Sequence, residues 1–320
     1  MWKFSPIYKT TIWGGDRIAD FKGIPSPGSN IGESWEVSGV DGSESLVCEG
    51  KEKGMSLSHL LEKYGEEMMG ERNFKNFGHH FPLLVKLIDA AADLSVQVHP
   101  DDALARKRGL KNGKTEMWYV IQAADGARLA TGFRRPVDPS EYESLVESGR
   151  IEDVLNFEEV HPGDAFYIPG GRVHAIGAGA LVAEIQQTSD VTYRIYDYHR
   201  RDSDGQERQL HVELAKDAIN FTDTDGGKVR YTPQPDIPVN LVRSPFFTTN
   251  LLQVDTELIR DYSESDTFVV LIATKGEAEI TCANETMTLR AGESLLVPAA
   301  ATGIAIEPKG EFKALETYIA

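Results

Sequence analysis

Apolar and polar positions alternate in short bursts along most of this chain, a period-two pattern that predicts strands separated by Gly, Pro and Asp turns. The stretch from Phe81 to Val98 is apolar and β-like, and it stops at Pro100-Asp101-Asp102. Further strands are expected at Met117–Ile121, Arg128–Phe133, Ala165–Ile168, Leu181–Gln187 and Val191–Tyr196. The last part of the chain repeats the pattern at Phe268–Ala273, Ala278–Cys282, Met287–Leu289 and Ser294–Val297. Helical spacing is confined to a few inserts. One follows Ser56, a candidate N-cap, and a short one runs from Ala103 to Arg108. Pro139 to Phe157 reads as one or two helices behind Asp138, with Glu141 three residues later, and His211 to Phe221 reads as another. The first fifty residues read as turns and short strands.

Many short strands point to a sandwich or barrel and not to a doubly wound sheet. An internal echo sharpens this expectation. Gly163-Asp164-Ala165-Phe166-Tyr167-Ile168-Pro169 recurs in form as Gly292-Glu293-Ser294-Leu295-Leu296-Val297-Pro298, each a glycine turn, a buried strand and a proline stop. The first copy continues through Gly171 to His174 and matches the cupin signature G-x5-P-x-G-x2-H, whereas the second has Ala300 and Gly303 at those places. The fold expected is therefore mainly β, two cupin (jelly-roll) barrels with a few inserted helices. A Gly/Pro-rich boundary near Gly226 to Pro238 divides residues 1–235, a metal-binding catalytic cupin domain, from residues 236–320, a smaller degenerate barrel without metal ligands.

Composition narrows the classes of function. With 320 residues, 41% apolar and 26% charged, the chain has the make-up of a soluble globular protein. No apolar run approaches the roughly 18 residues of a membrane span, and the N-terminus lacks the pattern of a secretory leader. Cys48 and Cys282 stand far apart, as free thiols in a reducing cytoplasm would. The net charge of −17 argues against nucleic acid. It also requires that any anionic substrate find a local cationic pocket.

The residues with chemical potential cluster between 86 and 194. Gln97 and His99 lie two apart on a strand and point to one face, where a metal or a buried hydrogen-bond network would satisfy them. Glu116 heads an apolar strand behind a Gly/Lys loop and is either an oxygen ligand or a surface carboxylate. His174 falls where the signature places a ligand histidine. With Gln97, these make an N/N/O/O set that suits zinc or a related divalent ion. The run from Gly179 to Asp197 reads as a hairpin turning at Thr188-Ser189-Asp190, which sets Glu184 across from Arg194. That pair is either a simple ion pair or a mount that aims Arg194 at an anion. Lys86, Lys114, Arg172 and Arg194 supply the local positive charge.

Gln97-Val98-His99-Pro100-Asp101, Gly113-Lys114-Thr115-Glu116-Met117, His174 and the segment from Glu184 to Arg194 resemble the motifs of type I mannose-6-phosphate isomerases. Trp13-Gly14-Gly15 and Gly32-Glu33-Ser34-Trp35 fit the same family, in its short bacterial branch. The resemblance implies an aldose–ketose isomerase acting on mannose 6-phosphate and fructose 6-phosphate through a cis-enediol. It implies one Zn2+ per chain on Gln97, His99, Glu116 and His174, with Arg194 and Lys114 catalytic. Ser95, Lys86 and Glu184 would bind the sugar phosphate, in a monomer or homodimer. The alternatives are a metal-binding cupin that senses sugars without turnover and a cupin dioxygenase, the latter disfavoured by Gln97 in the ligand set.

Overall fold

The computed structural model describes residues 1–202 and 204–320. Two sheets form the first barrel. In the six-stranded one, Ala165–Ile168 pairs with Glu116–Ala123, which pairs with Ala180–Gln187, then Leu83–Asp89, Ile31–Val37 and Ile7–Gly15. In the five-stranded one the order is Leu155–Glu159, Arg128–Phe133, His174–Ile176, Val96–Val98 and Tyr193–Tyr196. The second barrel opposes a four-stranded sheet to a seven-stranded one. The seven-stranded sheet includes Trp2–Ser5, antiparallel to Ser294–Val297, so the chain begins in the wall of the barrel that its end completes.

The strands at the junction are buried on both faces, which is why they read as continuous apolar runs instead of a clean alternation. Along Ala180–Gln187, Leu181, Ala183 and Ile185 face a core shared by both barrels, while Ala180 and Val182 face the first barrel's interior. Along Val269–Lys275 the same alternation holds: Val270 and Ile272 enter the shared core, and Val269, Leu271 and Ala273 fill the second interior. Two helices, Leu57–Met69 and Glu71–Phe77, cover the shared core from one side. Ser56 caps the first by accepting from the His59 N–H, and Asp266 of the second barrel accepts from the first N–H groups of the other.

The Gly163 and Gly292 echo extends to strand register. Phe166 sits opposite Trp118, and Leu295, its counterpart, sits opposite Leu271. The expected strands and helices recur with small shifts of boundary, with two differences. Pro139–Glu147 is helical and Ile151–Val154 a single 3-10 turn, but Leu155–Glu159 is a strand on the edge of the five-stranded sheet. The turn at 188–190 does not close a hairpin. It carries the chain around the barrel corner from one sheet to the other, because the Thr188 N–H and hydroxyl donate to Pro82 and Phe81 carbonyls while the Gln186 amide donates to the Gln187 and Ser189 carbonyls. No helix among the described residues is long and apolar enough to cross a membrane.

Candidate metal centre and active site

His99 follows the strand Val96–Val98, Glu116 opens Glu116–Ala123, and His174 opens His174–Ile176 opposite Gln97. Two neighbouring strands of the five-stranded sheet and one strand of the six-stranded sheet thus deliver their side chains to one point inside the first barrel. His99 Nε2 lies 3.5 Å from Glu116 Oε2, His174 Nε2 lies 3.4 Å from Glu116 Oε1, and the two histidine Nε2 atoms are 3.2 Å apart. The Gln97 amide end stands 3.3 Å from His174 Nε2, and turning that amide by half a rotation presents its oxygen.

Glu116 is fully buried, and neither of its oxygens receives a well-aligned hydrogen bond among the described residues, although Lys114 Nζ stands 3.2 Å from Oε2. Such a carboxylate is costly unless something compensates it. Burial, and then the charge of Glu184, raise the Glu116 pKa to about 7, while burial lowers that of His174 to about 4 and that of His99 well below the ordinary value. Both imidazoles are therefore neutral near pH 7, as metal ligands must be. The Nδ1 of His174 is 2.9 Å from the Arg172 carbonyl, a contact that makes Nδ1 the donor and leaves Nε2 with its lone pair free. Carboxylate oxygens without a hydrogen bond, neutral imidazoles and a convergent amide fit a divalent cation.

A cavity of about 150 Å³ opens beside this set, lined among others by Ser95, Gln97, Lys86, Lys114, Glu184 and Arg194. Lys114 Nζ is 3.0 Å from His99 Nε2 and 3.2 Å from Glu116. Lys86 Nζ lies 3.3 Å from Glu184 and 3.7 Å from Glu33. Burial alone would lower the Lys86 pKa, but the carboxylates of Glu33, Glu184 and Glu116 outweigh it and raise it. Glu184 is likewise opposed by burial and held below the ordinary carboxylate range by Lys86 and Lys114. A larger cavity of about 570 Å³ lies next door and shares Asp190, but none of the four ligand candidates lines it.

Two expectations are corrected here. Glu184 does not face Arg194: it sits opposite Lys86 and Trp118, accepts from the Trp118 indole at 2.9 Å, and shares only the cavity with Arg194, which is opposite Gln97. The cause is the corner at 188–190, which separates the two strands into different sheets. Arg172 is not part of the cavity's positive charge. It is buried against Asp223, bonded through Nε at 2.6 Å and Nη2 at 2.8 Å, and only its carbonyl serves the site.

The cavity wall also includes residues without a single-sequence signal for this role, among them Trp13, Trp35, Glu33, Asp190 and Arg208. Trp35 donates to Glu33 and lies under Lys86, whose Nζ is 5.1 Å from the ring centre. The glycines beside Trp13 and Trp35 were the available clue. A Cβ on Gly14 would stand 2.3 Å from the Asn30 carbonyl oxygen, and one on Gly32 would meet Trp13 at 2.6 Å, so close packing of this corner demands them.

A jelly-roll barrel with a His-Glu-His cluster and an amide at the mouth of a cationic cavity defines a cupin of the metal-binding kind. Comparison with known proteins is more specific. Residues 1–125 match the model for "phosphomannose isomerase type I, catalytic domain", and residues 239–315 match "mannose-6-phosphate isomerase, cupin domain". The chain is 33% identical over 318 residues to mannose-6-phosphate isomerase ManA of Bacillus subtilis, covering 98% of this chain and 95% of that one. It is 36% identical over 292 residues to the mannose-6-phosphate isomerase of Streptococcus mutans, covering 90% and 89%. Among solved structures, a mannose 6-phosphate isomerase from Bacillus subtilis superimposes with a TM-score of 0.88 at 30% identity, covering 99% of this chain and 98% of that one. This chain belongs to the type I phosphomannose isomerase family.

Proposed function

We propose that the protein interconverts mannose 6-phosphate and fructose 6-phosphate through a cis-enediol. The observation that carries this reading is the buried Glu116 between two neutral histidines, its oxygens without a hydrogen bond among the described residues, beside a cavity that Gln97 lines together with Lys114 and Arg194. Gln97, His99, Glu116 and His174 are the residues we assign to the metal, with zinc as its identity at one ion per chain. Bound there, the ion would polarise the sugar oxygens at C1 and C2.

The rest of the chemistry falls to side chains. In the aldose-to-ketose direction a proton leaves C2 and returns at C1, while the hydroxyl proton passes from O2 to O1. Lys114, between His99 and the cavity, is suited to relaying protons. Arg194 stabilises the negative charge that grows on the enediolate. Ser95, Lys86 and Glu184 orient the sugar, Lys86 and Glu184 being locked to one another. Trp13, Trp35, Ile88 and Leu94 supply apolar wall that limits water. Lys114 and Arg194 line one cavity beside the ligand set, which favours an enzyme over the sugar-sensing alternative. The two half-buried free cysteines suit a reducing cytoplasm.

An isomerase assay coupled to fructose 6-phosphate detection, run with elemental analysis of the same sample, tests this reading. Turnover that tracks about one divalent ion per chain is expected of an open catalytic site. A fully loaded protein without turnover on mannose 6-phosphate would contradict it.

A further inference from the structure

The cations of the cavity are of two kinds. Lys86 and Lys114 are each matched to carboxylates, Lys86 to Glu33 and Glu184 and Lys114 to Glu116. Arg194 has no ion pair with a carboxylate among the described residues, and Arg208 shares Asp197 with Arg200. Together with Arg200 they surround a single carboxylate, Asp197, so that three positive charges and one negative leave a local excess of two. In a chain of net charge −17 such an excess has to be held in place deliberately. The remaining carboxylate of the cavity wall, Asp190, is exposed to solvent.

The holding is visible in the segment that follows Arg194. Asp197 is buried and accepts from Arg208 Nε at 2.7 Å and Nη2 at 2.6 Å, a two-pronged pair, and also from Arg200. Arg200 in turn donates to the Asp93 carbonyl, which ties the segment to the turn before Ser95. Arg194 Nη1 donates to the Gln209 carbonyl at 2.8 Å, and the His211 N–H donates to the Arg194 carbonyl at 2.7 Å. Tyr198 and His199, directly after Asp197, both have positive φ, at 58° and 54°, a conformation that residues with a Cβ avoid. Backbone forced into that region persists where surrounding contacts over-determine it, and here those contacts present Arg208 to the cavity. Arg208 keeps Nη1 without a hydrogen bond among the described residues, and Arg194 keeps a buried Nε without one.

We infer that Arg208 forms the subsite for the phosphate group of the substrate, and that Asp197 is the positioning residue that fixes the Arg208 fork. The inference rests on the isomerase reading and adds to it the group that selects a phosphorylated sugar. It divides the cavity into a reacting end at the ligand set, the lysines and Arg194, which is opposite Gln97, and a phosphate end at Arg208.

The test uses the metal-loaded enzyme and Arg208→Gln, with inorganic phosphate as a second probe. Loss of a charge-assisted contact predicts a KM for mannose 6-phosphate raised by about 10- to 100-fold, with kcat little changed. The inhibition constant of inorganic phosphate should rise in parallel. Arg208→Lys should recover part of both, because an ammonium cannot copy the fork, and it serves as the readable variant if Arg208→Gln does not fold. Asp197→Asn should raise KM less than Arg208→Gln does and leave kcat in place. Unchanged KM and phosphate inhibition in Arg208→Gln would overturn the subsite, as would a fall in kcat at constant KM. Calorimetric binding of phosphate separates the two layers. Arg208-dependent binding in a wild-type protein without isomerase activity would sink the isomerase reading and keep the anion subsite. Normal turnover with Arg208-independent binding would do the reverse.

Discussion

Glu184 in the first barrel and Glu316 in the second occupy the same place in matching sheets. Glu184 lies opposite Lys86 and Trp118, and Glu316 lies opposite Asn250 and Leu271, where Trp118 and Leu271 are counterparts by the register of the echoed strands. Their surroundings diverge. Glu316 accepts from Arg260 Nε and Nη2, from the Tyr262 hydroxyl and from the Asn250 amide, all between 2.7 and 3.0 Å. Glu184 accepts one hydrogen bond, from Trp118, and faces Lys86 at 3.3 Å. One site is saturated and closed, and the other keeps unused capacity at a cavity wall. The same register sets Val269 in the place of Glu116, and Ile304 and Ile306 are the buried residues of the strand that Gly303 opens. Two barrels of one design thus differ in where polar groups are left unsatisfied, and that difference marks the chemistry.

The comparison breaks most sharply at the ligand set. His99→Ala and His174→Ala should each lose the metal and lower turnover on the order of 10³-fold or more, measured by elemental analysis and the coupled assay. Gln97→Ala should retain metal weakly, an amide being the poorest of the four ligands. Glu316→Ala should do the opposite. Removing one partner of a buried ion pair typically costs about 3–5 kcal/mol, so denaturant unfolding should show a large loss while metal content and kcat stay at wild type. A fall in metal content in Glu316→Ala would erase the contrast between the barrels.

Arg194→Ala comes next. If the guanidinium acts on charge that develops in the transition state, kcat should fall on the order of 10²- to 10³-fold with a smaller change in KM. Since Arg194 has no ion pair with Glu184, its melting curve should move little, and Arg194→Lys should recover part of the rate. Normal kinetics in Arg194→Ala would remove it from the catalytic set.

The smallest expected effect is on pH. Burial and Glu184 raise the Glu116 pKa to about 7. A proton then competes with the metal for this carboxylate below that pH and not above it, so affinity should fall by up to about tenfold per unit as pH drops from 7 to 5 and level off above 7. His174, held to about 4 by burial, adds no competition in that range. Titration of the metal-free protein with zinc at several pH values checks the sign.

Much of this was legible from the chain because it is written locally. Gln97 and His99 declare a shared face by their spacing, and the Gly163 and Gly292 echo announces two copies of one strand. What escaped was set by distant partners. A turn such as Thr188-Ser189-Asp190 looks the same whether it closes a hairpin or rounds a corner, and only the Phe81 and Pro82 carbonyls decide. Arg172 reads as a free cation until Asp223 is folded against it. Glu316 gave no sign of Arg260, because the strands that bring them together are far apart in sequence. Arg208 lies in a polar stretch with no periodicity at all. The pairing of Trp2–Ser5 with the last barrel is likewise a product of topology.

Anomalous diffraction at the zinc edge, on crystals of the zinc-loaded protein, would locate the ion in one barrel or the other. One strong peak per chain is expected in the first barrel, about 2.0–2.2 Å from His99 Nε2, His174 Nε2 and a Glu116 oxygen, and none near Glu316. A peak inside the second barrel, or none between His99 and His174, would contradict the assignment of the metal to the first barrel.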